Sequence, residues 1–473
     1  MTASAQHPTL STARRPGPSA DTPLRRPAEA FFARTDGDLL GSAFPPKRGA
    51  HPATGARPVP PEATGDLWRH LTATRRCGPA VAYVHVPFCA NHCLFCGFYQ
   101  NPWRPEAGTA YVDAVLAQLR HGESQPVQQG HPLRAVYLGG GTPTALDTAD
   151  LVRLVEGLRR HLPLAPDCEI TLEGRVHAFG LDKARAALEA GVNRISLGVQ
   201  SFDERLRRRL GRKTDRAGVV RFLEGLVALD RAAIVIDLMF GLPQQTPESF
   251  AADATLAAGI GLDGLDLYAL NLIAGSPLSV AAEAGKLVPA PRETLGHYYA
   301  AGAEAMDRAG WHGLSCSHWR QGTRERNIYN FEAKSGADCL AFGAGAGGSI
   351  GGISYRIAPD LADYAARAGT DACLAAGMMR AGGLAPALNA LRAGMERGCL
   401  DPAPVSAALP GADFEALAAP LLAQWCAAGL MRRRHRFFDL TLAGRFWQVT
   451  LTGHLIAWLS QEAPGPKPQG DPA

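Results

Sequence analysis

Short apolar runs alternate with longer amphipathic stretches through the middle of the chain. The runs are four to eight residues long, and the stretches between them often start at Asp, Thr or Pro. Strands that alternate with helices in this way form parallel sheets, so the pattern predicts an α/β fold built on a complete or partly open parallel barrel. The predicted strands span 80–86, 134–138, 169–172, 193–199, 233–240 and 264–270, and the predicted helices span 109–121, 147–161, 181–190, 215–230 and 246–258.

The alternation ends near residue 290. A helix-like segment at 292–309 leads to a Gly-rich loop at 343–352, and 385–460 is mainly helical in pattern. A short hairpin is predicted where Arg432–Arg434 meets Phe437–Leu440, an order that resembles a winged-helix unit. The pattern therefore predicts two domains, a barrel over 66–345 and a smaller, mainly helical, winged-helix-like domain over 346–461.

Both ends of the chain differ from this middle. Residues 1–65 are crowded with Pro, Ala, Arg, Thr and Gly and show no sustained period, so we expect a flexible leader with local order only near Phe31 and Phe32. Residues 462–473 have a similar composition, so we expect a flexible tail there. We expect neither end to carry chemistry.

Composition excludes several classes of protein. The 473 residues are 46% hydrophobic and 19% charged, which is typical of a folded globular chain. A net charge of +4 is too small to indicate nucleic acid as the main partner. The sequence shows neither a signal-peptide pattern nor an uncharged apolar run of 18 residues, so we expect a cytoplasmic protein without a membrane span.

Three of the ten cysteines stand together directly after the first predicted strand. Cys89, Cys93 and Cys96 form C-x3-C-x2-C on a loop, a spacing that suits an iron–sulfur cluster with one iron left open to another ligand. A zinc site completed by His92 or His85 is the alternative, as are buried thiols without a metal. We expect the remaining cysteines, apart from Cys316, to be ordinary core or surface residues: Cys77, Cys168, Cys339, Cys373, Cys399 and Cys426.

The stretch YVHVPFCANHCLFCGFYQNP resembles the signature of radical S-adenosylmethionine (SAM) enzymes of the oxygen-independent coproporphyrinogen oxidase superfamily. This resemblance implies a partial (β/α)6 barrel in which Cys89, Cys93 and Cys96 hold a [4Fe-4S] cluster. It also implies that SAM binds the open iron and is cleaved to a carbon-centred radical by one electron. Tyr83 and the three cysteines are then the expected catalytic residues.

The other positions that match the superfamily fall near the carboxyl ends of predicted strands, where barrel enzymes place their sites. Glycine amides can approach SAM closely, carboxylates can bind its ribose or ammonium group, and a guanidinium can pair with its carboxylate. By this resemblance the cofactor-binding residues are Tyr83, Phe95, Phe98, Gly139, Gly140, Gly141, Thr142, Glu173, Gln200, Arg212 and Asp237.

Three branches of the superfamily compete. The oxidases carry a fourth cysteine where this chain has Phe98, and the heme-chaperone branch shows Asp-Phe where it has Gly-Phe. The strings CGFYQNP, TRERNIYN, FGAGAGGSIGGISY and LAGRFWQVTLT resemble anaerobic heme-utilisation proteins of the HutW/ChuW type. That resemblance implies methylation of heme by SAM, opening of the macrocycle and release of iron, with electrons from a flavodoxin, a ferredoxin or a reduced flavin. A heme chaperone without turnover and a porphyrinogen-decarboxylating oxidase remain the alternatives.

Heme contacts are predicted in the segment after the barrel strands. Cys316 and His318 would share one face if this segment is a strand, and Arg324 and Arg326 could pair with propionates; Tyr329 is the fifth candidate. The Gly343-x-Gly345-x-x-Gly348 string formally matches a dinucleotide fingerprint but lacks the surrounding βαβ unit. Close approach of its backbone to a flat macrocycle or to a neighbouring strand is the favoured interpretation.

Overall fold

A computed structural model describes residues 25–45, 55–97 and 99–463 of the chain. Its strands are β1 (Arg57–Pro58), β2 (Ala80–Val86), β3 (Phe88–Cys89), β4 (Asn101–Pro102), β5 (Leu133–Gly140), β6 (Leu164–Gly174), β7 (Arg194–Gln200), β8 (Ala233–Phe240), β9 (Gly264–Ala269), β10 (His312–Gly313), β11 (His318–Arg320), β12 (Asp338–Phe342), β13 (Gly347–Ile350), β14 (Ile353–Ile357), β15 (Ala375–Arg380), β16 (Cys399–Leu400), β17 (Met431–Arg434) and β18 (Phe437–Leu440).

The α-helices are α1 (Leu39–Ser42), α2 (Pro61–Ala73), α3 (Pro105–Gly122), α4 (Thr148–His161), α5 (Leu181–Ala190), α6 (Glu204–Arg209), α7 (Arg216–Ala228), α8 (Pro247–Gly259), α9 (Pro277–Glu283), α10 (Leu295–Arg308), α11 (Ile328–Lys334), α12 (Leu361–Arg367), α13 (Ala385–Glu396), α14 (Pro402–Ala407), α15 (Phe414–Ala427), α16 (Leu442–Phe446) and α17 (Gln448–Glu462). Single 3-10 turns occur at Ala28–Phe31, Pro143–Ala145 and Arg292–Thr294.

Six of these strands form the predicted parallel sheet. β2, β5, β6, β7, β8 and β9 pair in that order, and β12 adds a further parallel strand beside β2. Antiparallel strands continue the sheet at both edges, which leaves the barrel open. The α/β fold with a partial (β/α)6 barrel is therefore confirmed.

Alternation along each parallel strand separates an outer face from an interior. On β2, Ala82 and Val84 are fully buried in the core, whereas Tyr83 packs against Tyr137 of the neighbouring strand inside the barrel. Side chains of a strand alternate between the two faces, so the polar residues at every second position line the interior. The carboxyl ends of the strands consequently bring their polar side chains to one mouth.

The barrel sheet extends beyond the predicted domain boundary at residue 345. β13 pairs with β12, and β14 and β15 extend the same sheet to Arg380. Assigning 346–380 to the second domain is therefore wrong. The Gly-rich segment 343–352 that suggested the boundary consists of the turn after β12, strand β13 itself and the turn that leads into β14.

Among the described residues before position 66, order extends beyond the local order that was expected near Phe31 and Phe32. Arg57 and Pro58 pair with β15, and α2 begins at Pro61. Within 25–45, Phe31 is fully buried beside Trp425, whose indole N–H donates to its carbonyl oxygen at 3.1 Å. The partner surface lies almost four hundred residues away in sequence, so local composition could not reveal it. Residues 1–24 and 46–54 lie outside the described part of the chain.

Replacing Phe31 by alanine should lower the free energy of unfolding by about 3–5 kcal/mol, because the cavity left by a fully buried ring is not refilled. Urea unfolding followed by tryptophan fluorescence measures this loss. Phe32→Ala provides the matched control. The Phe32 ring is only half-buried, so its removal should lower the free energy of unfolding by less. Equal losses in the two variants would contradict the docked position of Phe31.

The C-terminal region is mainly helical, as predicted. Helices α13 to α17 enclose a second apolar core and flank a three-stranded antiparallel sheet in the order β16, β18, β17. The predicted hairpin is confirmed, because β17 and β18 pair from Met431↔Leu440 to Arg434↔Phe437. Helix α17 continues to Glu462, and the predicted tail beyond residue 463 lies outside the described part of the chain. No helix among the described residues is long and apolar enough to span a membrane.

Candidate active site

The cysteine loop lies over the carboxyl ends of the barrel strands. β3, which ends at Cys89, pairs with β4, and the Trp103 amide donates to the Cys89 carbonyl at 2.9 Å. Within the loop, the Cys96 amide donates to the Cys93 carbonyl at 3.0 Å. Cys89 and Cys93 are buried and Cys96 is half-buried. The loop therefore holds its three thiols on an ordered turn at the mouth of the barrel.

Two neighbours stabilise a thiolate at Cys89. The Thr142 hydroxyl donates to its sulfur at 3.4 Å, and the Arg175 guanidinium lies 3.6 Å from the same atom. Burial raises the pKa of the Cys89 thiol, while Thr142 and Arg175 oppose the rise. The thiols of Cys96 and Cys93 also raise this pKa.

The two histidines of the zinc alternative have other partners. A ring nitrogen of His92 lies 2.9 Å from the Cys96 carbonyl oxygen, and His85 Nδ1 lies 3.0 Å from the Tyr83 hydroxyl. Across residues 25–45, 55–97 and 99–463, no three His, Cys, Asp or Glu side chains are placed to hold a single metal ion. In a [4Fe-4S] cluster each thiolate binds a different iron, so this donor set fits the cluster better than one zinc ion.

The glycine run after β5 makes space where side chains would collide. A Cβ on Gly139 would lie 2.6 Å from the Glu173 carboxylate, and one on Gly141 would lie 2.5 Å from the Phe88 carbonyl oxygen. Gly140 has φ +112°, a conformation that L side chains rarely adopt. These constraints leave bare backbone between the cysteine loop and Glu173, as close approach of a ligand requires.

Glu173 lies at the carboxyl end of β6, facing the glycine run. The Gly140 amide donates to its carboxylate at 3.4 Å. Burial raises the pKa of Glu173 to about 7, although the Gly140 amide and Arg175 both favour the charged form. A half-neutral carboxyl group at this position would gain from a ligand that brings hydroxyl or ammonium donors.

Replacing Glu173 by glutamine should stabilise the cluster-free protein at high pH. Between pH 4.5 and 7 the folded wild type keeps a proton that the unfolded chain has released, so its stability falls as pH rises through this window. The variant should be more stable by up to about 3 kcal/mol at pH 8, with the gain disappearing below pH 4.5. Urea unfolding at both pH values tests this. Glu156→Gln on the exposed face of α4 is the control, and an equal pH-dependent gain there would contradict the assignment.

The side of the mouth that carries Glu173 also carries three further polar residues, Gln200, Arg212 and Asp237. Gln200 ends β7 with φ +74°, and a Cβ on Gly198 would lie 2.6 Å from its amide nitrogen. Within the described part of the chain Arg212 Nε is buried without a hydrogen-bond acceptor. Burial raises the pKa of Asp237, and the charges of Asp266 and Glu173 raise it further. An anion near Arg212 and a donor near Asp237 would satisfy both groups.

Two aromatic residues that were predicted to bind the cofactor, Phe95 and Tyr83, lie apart from these polar side chains. Phe95 packs against the apolar side of α6, with the Arg212 guanidinium 5.6 Å from its ring centroid. Tyr83 faces the interior, where its ring lies 6.4 Å from that of Tyr137. Phe98 lies outside the described part of the chain.

Comparison with known proteins identifies this arrangement. The model of the radical SAM superfamily matches residues 83–257, which include the cysteine loop and five of the six barrel strands. Anaerobilin synthase of Escherichia coli O157:H7 is 43% identical over 418 residues, which is 87% of this chain and 91% of that protein. The chain belongs to the radical SAM superfamily. It is a radical SAM enzyme, and the cofactors of the superfamily are a [4Fe-4S] cluster and SAM.

More distant relatives belong to the alternative branches. The heme chaperone HemW of Synechocystis sp. is 30% identical over 51% of this chain and 59% of its own length. Oxygen-independent coproporphyrinogen III oxidase of Escherichia coli K12 is 29% identical over 60% of this chain and 65% of its own length. The solved structure of the E. coli oxidase matches with a TM-score of 0.70 at 23% identity, covering 85% of this chain and 95% of that one, which supports the shared fold.

Three of the predicted heme contacts of this radical SAM enzyme lie away from the mouth. Arg326 pairs with Asp167 at the amino end of β6, and Arg324 pairs with Asp230 ahead of β8. The Cys316 thiol points into the C-terminal core, where it donates to the Met395 carbonyl at 3.4 Å. The structure therefore does not bring these three residues to the cysteine loop: the two arginines lie at the opposite end of the strands, and Cys316 lies in the C-terminal core.

His318 is buried inside the barrel rather than sharing a surface with Cys316. Its Nδ1 lies 2.8 Å from Asp266 and its Nε2 lies 3.2 Å from Glu325, which in turn pairs with Arg194 at 2.9 Å. Although burial opposes charge, Asp266 and Glu325 raise the pKa of His318 to about 9. Asp266 is also the register partner of Asp237. A buried ionic chain of Asp266, His318, Glu325 and Arg194 therefore runs from the strand position beside Asp237 to the amino end of the barrel.

Tyr329 is the one predicted heme contact that lies beside a predicted catalytic residue. Its ring centroid is 4.8 Å from that of Tyr137 and 6.2 Å from that of Tyr83. The Tyr329 hydroxyl lies 4.0 Å from the Cys339 thiol, deep between β2 and β12. These tyrosines therefore fill the interior below the glycine run.

The sequence reading missed several polar residues of the site. Arg175, which contacts Cys89, follows Glu173 by two residues, so its place after a barrel strand was a usable signal. Asp266 also stands on a predicted strand. Glu325 gives no such signal, because its partners His318 and Arg194 become neighbours only through the sheet.

The loop glycine Gly343 packs against the β2 backbone, since a Cβ there would lie 2.6 Å from the His85 carbonyl oxygen.

Proposed function

We propose that this radical SAM enzyme degrades heme without oxygen, transferring a SAM-derived methyl group to the macrocycle, opening it and releasing iron. The observation that carries the proposal is the sequence identity with anaerobilin synthase along nearly the whole of that protein. The residues at the mouth supply the donors that a cluster and SAM need. A cytoplasmic location is part of the proposal, since the cluster needs cysteines kept as thiols.

In this proposal Cys89, Cys93 and Cys96 hold the cluster. The acceptor groups of Glu173 and Asp237 bind ribose hydroxyls or the ammonium group of SAM, and Arg212 pairs with its carboxylate. Gln200 and the amides of the glycine run complete the cradle. The bound cofactors supply a carbon-centred radical after one-electron reduction.

The protein's own contribution is to position the reactants and exclude water. The side chains of Tyr83, Tyr137 and Tyr329 close the interior beneath the mouth, and the His318 ionic chain closes it further toward the amino end. We place the flat substrate on the side of these tyrosines that faces the cysteine loop, against the cofactor. Tyr83 and Arg175 border this space, where Arg175 favours the charged form of the Cys89 thiol.

Anaerobic incubation of the cluster-loaded protein with heme, SAM and a strong reductant, followed by mass spectrometry, tests the proposal. A methylated linear tetrapyrrole and free iron are the expected products. Cleavage of SAM with unchanged heme would overturn the choice of substrate, and coproporphyrinogen III should then be tested. Heme binding without SAM turnover would instead favour a chaperone. Asp237→Asn is the matched variant, because it keeps the three cysteines but weakens a proposed SAM contact.

A further inference from the structure

Helix α6 lies directly against the cysteine loop. Asn91 of the loop donates to the Gly211 carbonyl, just beyond α6, at 3.3 Å. Leu206 and Leu210 form an apolar cluster against which Phe95 of the loop packs. Phe95 stands next to Cys96 in the chain, so α6 contacts the part of the loop that carries this half-buried thiol.

The opposite side of α6 is cationic and exposed. Arg205, Arg208 and Arg209 occupy positions i, i+3 and i+4 and therefore share one helix face, on which all three are exposed. Arg207 points the other way, donating to the Val199 and Ser201 carbonyls at 3.1 and 2.8 Å. Arg207 thus fixes the helix to the carboxyl end of β7, with its three arginines facing solvent.

Positive charge is concentrated in this segment. Residues 203–216 contain seven basic and three acidic side chains, in a chain whose net charge is only +4. Each of the three carboxylates accepts a hydrogen bond from a nearby backbone amide. Asp203 caps α6, Asp215 caps α7, and Glu204 accepts from the Arg216 amide. Among the described residues, Arg205 and Arg209 have no carboxylate within 4 Å, and Arg208 is 3.8 Å from Glu204.

The basic hairpin of the C-terminal region differs in this respect. Arg433 pairs with Glu415 at 2.7 Å, and Arg434 pairs with Asp439 at 2.6 Å. Arg436 pairs with Asp401 at 3.0 Å. The charge of the hairpin is largely neutralised within the protein, whereas that of α6 is available to a partner.

We propose that the exposed face of α6, formed by Arg205, Arg208 and Arg209, is the docking surface for an acidic one-electron carrier of the flavodoxin class. The carrier's reduced flavin gives up one electron, and the cluster behind Phe95 accepts it. Complementary charge would steer the carrier to a helix that contacts the cysteine loop. The inference requires the cluster alone and holds whichever tetrapyrrole is the substrate.

Anaerobic stopped-flow mixing of the cluster-loaded protein with a reduced acidic flavodoxin tests this surface. The triple variant R205E/R208E/R209E should lower the second-order rate constant for cluster reduction by about 10-fold or more at low ionic strength. At about 1 M salt, where charges are screened within a few ångströms, wild type and variant should react at similar rates. Dithionite, a small donor that needs no docking surface, should reduce both proteins alike.

R120E/R160E/R432E is the matched control. It makes the same change in net charge at exposed arginines, two of which lie near the carboxyl ends of α3 and α4, away from the cysteine loop. Equal slowing in both triple variants, or none in the α6 variant, would overturn the proposal. If charge reversal lowers cluster content, R205Q/R208Q/R209Q repeats the comparison, and an unchanged rate constant there would also reject it.

Discussion

Replacing Cys93 by alanine is expected to remove the cluster and all cleavage of SAM. Two thiolates cannot hold three irons of a cubane in place, so iron and sulfide should fall from about four atoms each per chain to almost none. Iron and sulfide analysis after anaerobic reconstitution measures this, together with chromatography of the SAM cleavage products.

Cys168→Ala is the control for this experiment. Cys168 is also buried, but it lies on the outer side of β6 in the hydrophobic core. That variant should keep its cluster and its SAM cleavage. A Cys93→Ala protein with full iron content and wild-type turnover would show that the cysteine loop does not hold the cluster.

Replacing Arg194 by methionine should lower the free energy of unfolding by about 3–5 kcal/mol. Arg194 pairs with Glu325 at 2.9 Å, and both side chains are almost completely buried. Although burial opposes ionisation, Arg194 and His318 hold the pKa of Glu325 at about 2. Without the arginine, a buried carboxylate loses its main countercharge. Chemical denaturation at neutral pH measures the loss.

Two further variants show how burial and charge each contribute to the loss in free energy of unfolding. Arg324→Met breaks a pair of the same kind near the same end of the barrel, but Arg324 and Asp230 are largely exposed, so less than about 1 kcal/mol is expected. Arg194→Met combined with Glu325→Gln should regain part of the lost stability, because the unpaired charge is removed. A double variant no more stable than Arg194→Met would contradict this explanation.

The barrel could be predicted because its strands are buried on both faces. Runs that are almost entirely apolar are rare outside such strands, and β8 has the bounds of one of them, 233–240, in which Asp237 is the one charged residue. The cysteine loop and the glycine run were also predictable, since each depends on residue type and spacing within a short segment.

Partners that meet only in the folded chain could not be predicted. The sequence places Cys316 and His318 two residues apart, but one enters the C-terminal core and the other enters the barrel. Arg326 appears free in the sequence, yet its partner Asp167 is 159 residues away. The heme contacts were predicted from residue type and local spacing, and neither reveals which end of a barrel a side chain occupies.

The burial of Phe31 beside Trp425 has a consequence for synthesis of the chain. The two residues are 394 positions apart, so a ribosome adding about 5–20 residues per second makes the second roughly 20–80 s after the first. During that interval we expect the aromatic ring to stay uncovered and accessible to chaperones. Assembly of the C-terminal core therefore has to follow translation of nearly the entire polypeptide.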